Sequence, residues 1–134
     1  MTQAFIVTPY AAALGLLGAA LTVNVIVNRG RAKAVSGDGG APALAQAIRA
    51  HCNFIEQAPL ALIVIALGEA AGMRPLMVNL LGAGLVVSRL AAALTLSQTL
   101  AVVTRLRVFG ASLGVLVLVS ASIGALLAWL KVGV

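Results

Sequence analysis

Charge is what this chain lacks. Only 9% of its 134 residues are charged, and 62% are hydrophobic. A soluble domain of this size needs roughly a quarter charged residues to cover its surface. So few charges exclude a water-facing exterior and require one that faces lipid. Acids are scarcer still, three against nine Lys and Arg, for a net charge of +6. Aromatics are 4%, too few for the stacking platforms with which basic proteins hold single-stranded nucleic acid. The surplus of cations reads instead as a topology and lipid-contact signal. A single cysteine, Cys52, excludes an internal disulfide and any CxxC zinc site. The first nine residues hold no Lys or Arg. A cleaved signal peptide needs a basic segment there, so the first span is expected to stay.

What is there is mostly apolar run. The pattern predicts one all-α integral membrane domain over residues 1–134, a bundle of four transmembrane helices. The helices are expected at about 4–28, 43–70, 76–104 and 107–131. Pro9 falls where a helix start tolerates it. Gly15, Gly18, Ala19 and Ala20 allow close approach of a second helix. Asn24 and Asn28 share a face, either to hydrogen-bond another helix or to line a polar pocket. Residues 29–40, RGRAKAVSGDGG, read as a basic, glycine-rich loop. Its SGDGG lacks both the preceding strand and the GK[ST] of a phosphate loop, so Asp38-Gly39 is a turn. In the fourth span Gly110 and Gly114 form a GxxxG, continued by Ala121, Ala125 and Ala128, a helix-packing stripe.

One stretch breaks the apolar pattern. Pro42 to Pro59 reads PALAQAIRAHCNFIEQAP and runs into LALIVIAL without a loop. The apolar part after Glu56 covers only about 15 Å of helix, half a bilayer core. The crossing must borrow from the polar part, which puts Cys52, Asn53 and Glu56 in or at the edge of the hydrocarbon. A carboxylate there costs about 2.5–3.5 kcal/mol or more, so it needs a protein or water partner. Arg49, Cys52, Asn53 and Glu56 follow i, i+3, i+4, i+7 and form one stripe, with His51 on another face. Pro59 frees the carbonyl of Ile55, and a kink there would open a pocket. Helices two and three fold back near residue 73, at AAGMRP, which levels Glu56 with Arg89 and predicts an ion pair between them.

Loop charges set the orientation. Arg29, Arg31, Lys33, Arg49, Arg105 and Arg107 lie at one end, and Arg74 and Lys131 at the other. The positive-inside rule puts the first end in the cytoplasm and both termini on the opposite side. Tyr10 and Trp129 mark that opposite interface. The polar stripe then opens to the cytoplasmic face. Its chemistry suits a small zwitterion with several carboxylates. Arg49, Arg107 and either Arg29 or Arg31 hold carboxylates, Glu56 receives an ammonium, and Asn53 is donor and acceptor. Arginines in a dry site also favour thiolate over thiol. Glutathione has two carboxylates, an ammonium and a thiol.

The string from Arg49 to Pro59 resembles the R-x-H-x-N-x-x-E-x-x-P signature of the MAPEG superfamily, the membrane-associated proteins in eicosanoid and glutathione metabolism. Arg89, Arg107, the basic first loop and the four-span plan match as well, and the GDGG turn and RVFG look most like its bacterial branch. The resemblance implies a homotrimer in a bacterial inner membrane, with glutathione bound between subunits near the cytoplasmic face. It implies that Arg49, Asn53 and Glu56 contact glutathione, with Arg29 or Arg31 adding a contact. Arg107 would stabilise the thiolate, Arg89 would be structural or near the pocket, and His51 a structural hydrogen bonder. The implied activity is glutathione transfer to lipophilic electrophiles, or reduction of hydroperoxides. Glutathione-binding members often carry a basic residue where Cys52 stands. Prostaglandin E synthases of the family have His and Tyr where this chain has Ala92 and Leu96, a Ser at Val108, and a tyrosine near Gly110 and Ala111. That activity is therefore not expected. Two alternatives stand beside the enzyme. One is a catalytically silent protein binding glutathione or lipid. The other is a small four-helix transporter, which would need an acid central in the first helix, where there is none.

Overall fold

The structure, a computed structural model, describes residues 5–98 and 104–132. Its elements are four helices: α1 Thr8–Ala32, α2 Pro42–Ala70, α3 Pro75–Gln98 and α4 Arg105–Val132. All four are long and apolar enough to cross a membrane. The chain is an all-α four-helix membrane bundle, as its composition requires. Thr99 and the expected continuation of the third helix to residue 103 lie outside the described residues.

Each boundary has a local cause. Pro9 occupies the first turn of α1, where its missing N–H costs nothing. The helix then runs to Ala32, so Arg29 and Arg31 sit on its last turn and not in the loop expected from residue 29. Cations there complement the negative end of the helix dipole. Lys33 stops the helix with φ 51°, its N–H reaching the carbonyls of Arg29 and Gly30. Asp38 closes the following turn by accepting the Gly40 N–H at 3.0 Å. Between α2 and α3, Gly72 takes φ 87°. Its N–H bonds to the Glu69 carbonyl and that of Met73 to the Gly68 carbonyl, a left-handed cap that reverses the chain in four residues, 71–74.

Two buried rows hold the bundle together. On α2, Ala47, Ala50, Phe54, Ala58, Ala61, Ile65 and Gly68 are buried. On α4 the buried row is Gly110, Gly114, Val117, Ala121, Gly124 and Ala128. Both repeat every three to four residues, the period of a helix packed along its length. Their small residues permit close approach. A Cβ on Gly110 would meet the Ala92 nitrogen and the Ser88 oxygen at 3.1 Å each, so α3 and α4 touch backbone to backbone there. The expected GxxxG stripe is thus a packing surface, with Gly124 more buried than Ala125.

Helix α1 is the outlying element. It packs on α2 and α3 and makes no contact with α4 among the described residues. Its seat on α2 is the Phe54 ring over Gly18. Thr22 Oγ1 donates to the Gly18 carbonyl at 2.9 Å and meets His51 Nε2 at 3.2 Å. Asn24 and Asn28 bond each other instead of another helix, with Asn28 Nδ2 donating to the carbonyl and side-chain oxygens of Asn24 at 2.8 and 2.9 Å. At the other end Tyr10 donates to Asn79 Oδ1 at 2.7 Å and lays its ring against Gly82.

The turn that leads into α1 is held by the far end of α2. The Glu69 carboxylate accepts the N–H of Ile6, and that of Val7 at 3.0 Å. A carboxylate at a helix start is favoured by the dipole and by the donors exposed there. Glu69→Ala is expected to cost about 1–3 kcal/mol, the range for hydrogen bonds to a charged group. Glu69→Gln costs less, since an amide oxygen still accepts an N–H. Thermal unfolding in detergent checks this, with midpoints ranked wild type above Gln above Ala.

Candidate functional site on the outward face of the second helix

The stripe Arg49–Cys52–Glu56 turns away from the bundle. Phe54 marks the buried side of α2. Glu56 and Cys52 lie two residues to either side, about 160–200° round the helix at 100° per residue. Arg49 and Glu56 are exposed on the single chain, and Cys52 and Asn53 half-buried. Glu56 stands thirteen residues before Glu69, about 20 Å along the axis, well inside the expected crossing. A charge at that depth faces outward.

Arg89 does not pair with Glu56. It is 1% exposed and lies inside the bundle. Its Nη1 donates to the backbone carbonyl and to Oδ1 of Asn53, both at 3.4 Å. Its Nε and Nη2 donate to Ser88 Oγ at 3.2 and 2.7 Å, and Nη2 reaches the Gly110 carbonyl at 3.4 Å. The Ser88 hydroxyl donates its own hydrogen bond to that carbonyl at 2.9 Å. Hairpin counting levelled Glu56 with Arg89 correctly along the axis but carried no information about direction. Asn53 and Gln57 lie on the inner edge of the polar stretch, and Glu56 is turned about 100° from Gln57.

The guanidinium rests across Gly114. A Cβ at that glycine would collide with Arg89 Nη2 and approach Ser88 Oγ and Gln57 Oε1 within 2.8 and 2.9 Å. Gln57 Oε1 is buried there without a hydrogen-bond partner. Among the described residues, Arg89 is thus a buried cation held by oxygen dipoles. It also orients Asn53: with the carboxamide oxygen turned inward to Arg89, the Nδ2 donor is left for the outer side. Arg89 supports the outward stripe from behind, through Asn53, and is not part of its exposed face.

The other expected site residues are more scattered within one chain. Arg29 is folded onto the α1–α2 loop, where its Nη1 donates to the carbonyls of Ala34, Val35 and Gly37 at 3.5, 3.4 and 3.3 Å. Arg31 is exposed at the end of α1. Arg107 is half-buried in the first turn of α4, and its backbone N–H bonds to Thr104 Oγ1 at 3.2 Å. No hydrogen bond or ion pair among the described residues joins Arg31, Arg49, Glu56 and Arg107 to one another. One turn beyond Arg107 an open groove of about 520 Å³ runs along α4, lined by Gln57, Ala111, Ser112, Val115, Leu116 and Val119. It is mainly apolar, with Gln57 and Ser112 as its polar points. Helix α2 continues unbroken past Pro59 to Ala70. The cavity beside Pro59, about 200 Å³ between α1 and α2, is apolar, lined by Leu14, Gly18, Phe54 and Leu62 among others.

A family model described as the MAPEG family matches residues 7–127. The chain belongs to the MAPEG family. Membership accounts for the membrane four-helix bundle and sets the chain, at a coarse level, among membrane proteins of glutathione-related transferase or peroxidase type. No curated protein and no solved structure matches it. The residues of the R-x-H-x-N-x-x-E-x-x-P string divide by face: Arg49 and Glu56 point out, His51 bonds α1, and Asn53 bonds Arg89. Ser88, Gln57 and Gly114 were not read as site-forming from sequence. The available signal was a GxxxG glycine placed to receive a large polar side chain from α3.

Gly114→Ala tests the cradle. Its Cβ displaces the guanidinium, and overpacking of this kind costs about 1–3 kcal/mol. Gly15→Ala is the control, since a Cβ there meets nothing; it is expected to leave stability unchanged or raise it by up to about 1 kcal/mol. Thermal unfolding of both variants in detergent measures the difference.

Proposed function

We propose that the chain is a glutathione-dependent transferase or peroxidase of the membrane, working as a homotrimer, with its site completed by a neighbouring copy. The observation that carries this reading is the outward direction of Arg49 and Glu56, with Glu56 well inside the expected crossing. A carboxylate facing hydrocarbon is costly, and a second copy supplies the counter-charge and the dryness that one chain does not. The donor set suits the ligand. Arg49 and Arg31 take carboxylates, Glu56 takes the ammonium, and Asn53 offers the N–H pair that Arg89 holds in place. Arg29, engaged by the loop, positions Arg31 by fixing the end of α1.

Arg107 is the group for the thiol. A guanidinium beside the sulfur favours the thiolate, which is the nucleophile. The apolar groove along α4 starts one turn from it and presents a lipophilic acceptor from the bilayer side. In transfer, the thiol proton leaves to water, sulfur bonds to the electrophilic carbon, and a leaving group departs or an addition completes. With a hydroperoxide, two glutathione molecules become the disulfide while the peroxide becomes alcohol and water. The site opens to the cytoplasm, where the six cations of its end belong, and the membrane is a bacterial inner membrane.

Titration of the detergent-solubilised protein with glutathione tests the reading, with thiolate followed by ultraviolet absorbance. Wild type is expected to bind and to show thiolate at neutral pH. Arg107→Ala keeps binding but loses the thiolate signal. Glu56→Gln and Arg49→Ala weaken binding by about ten-fold or more, the scale of one charge-assisted contact. Chemical cross-linking is expected to stop at three copies. Absence of binding by wild type overturns the assignment, and binding without turnover on a panel of electrophiles reduces it to a silent glutathione-binding protein.

A further inference from the structure

The chain end opposite the polar stripe carries its own site. A cavity of about 220 Å³ opens there between the start of α3 and the end of α4. Its lining is Gly72, Met73, Met77, Gly124, Leu127 and Ala128, with Arg74 and Lys131. These are the two cations assigned to this end, and both border the same cavity. Both are exposed. The carbonyl of Arg74 accepts the N–H groups of Met77 and Val78 at 2.9 and 3.2 Å, so Arg74 stands at the N-terminus of α3. The positive end of that helix dipole adds to the two charges.

The protein has no carboxylate side chain to spare for them. It has three acids. Asp38 lies in the loop at the far end, where it closes a turn. Glu56 lies on α2 at mid-depth. Glu69, the acid nearest this end, is engaged by the N–H groups of Ile6 and Val7. Below the cations the walls are apolar, and the two methionines give a surface that adapts to flexible chains. Trp129, 63% exposed, marks the membrane interface at the same level. A phosphate at headgroup depth with an acyl chain running into the groove satisfies both halves of this lining. The volume admits roughly seven groups of water size, which suits the upper part of one chain and not a whole lipid.

We infer that the Arg74–Lys131 cavity is a binding site for an anionic phospholipid, with the phosphate between the two cations and an acyl chain along Met73, Met77 and Leu127. The site is separate from the proposed glutathione site and does not rest on it.

Native mass spectrometry of the full chain tests this after extraction from vesicles that hold equal phosphatidylglycerol and phosphatidylcholine with identical acyl chains. Wild type is expected to retain phosphatidylglycerol over phosphatidylcholine by about ten-fold or more. The double variant Arg74→Gln with Lys131→Gln loses that preference. Lys33→Gln with Arg105→Gln removes the same charge from the other end and keeps it. The inference falls if the first pair keeps the preference, or if both pairs lose it equally, which signals net charge alone. It also falls if millimolar inorganic phosphate strips the lipid, which marks a soluble-anion site. Loss of the oligomer in the first pair, with no bound lipid in wild type, assigns the face to a contact between copies.

Discussion

A single guanidinium sets the terms for the middle of this bundle. Arg89 has no carboxylate beside it among the described residues, yet it is buried. Bare burial of a charge is prohibitive, and the cost falls only as dipoles replace water. Here two backbone carbonyls and two side-chain oxygens do so. The four come from three helices: both Asn53 oxygens from α2, the Ser88 hydroxyl from α3 and the Gly110 carbonyl from α4. The three helices therefore share one centre, and small residues at 110 and 114 let them come near enough to share it. Helix α1 takes no part in that centre. It is seated separately, by Phe54 on Gly18, by His51 on Thr22, and by Glu69 at its head.

That division explains the polar stretch of α2. Its inner edge, Asn53 and Gln57, belongs to the Arg89 centre. Its outer face, Arg49 and Glu56, is turned away from the bundle. Asn53 links the two, with one side of its carboxamide committed inward. A helix with amides on one flank and charges on the other is poorly suited to solitary life in lipid. The proposed glutathione site would give this arrangement a use, and the direction of Glu56 is the physical reason to look between copies for it.

The fold was legible almost entirely from what is missing. So few charges in so many apolar residues leave only membrane helices, and their number followed from run length. The polar stretch was legible as a stripe because spacing on a helix is a geometric certainty once the helix is granted. What sequence could not give was azimuth. The Glu56–Arg89 pairing failed on that point alone: a hairpin count supplies depth, while direction depends on which side α4 occupies. Asn24 and Asn28 misled for a related reason, since a short amide four residues along is always within reach of its own helix. Glu69 went unread because its partners are backbone N–H groups, which leave no mark in a sequence. The loop carbonyls that Arg29 meets were equally invisible.

The hold of Glu69 on Ile6 and Val7 joins positions 62 and 63 residues apart. During synthesis the first helix emerges long before the carboxylate that anchors its head. It can enter the bilayer early by apolarity alone, but its register against the rest stays open until α2 has crossed and returned its end to the same surface. The final seating of the first helix is thus a late event in assembly, timed by the second.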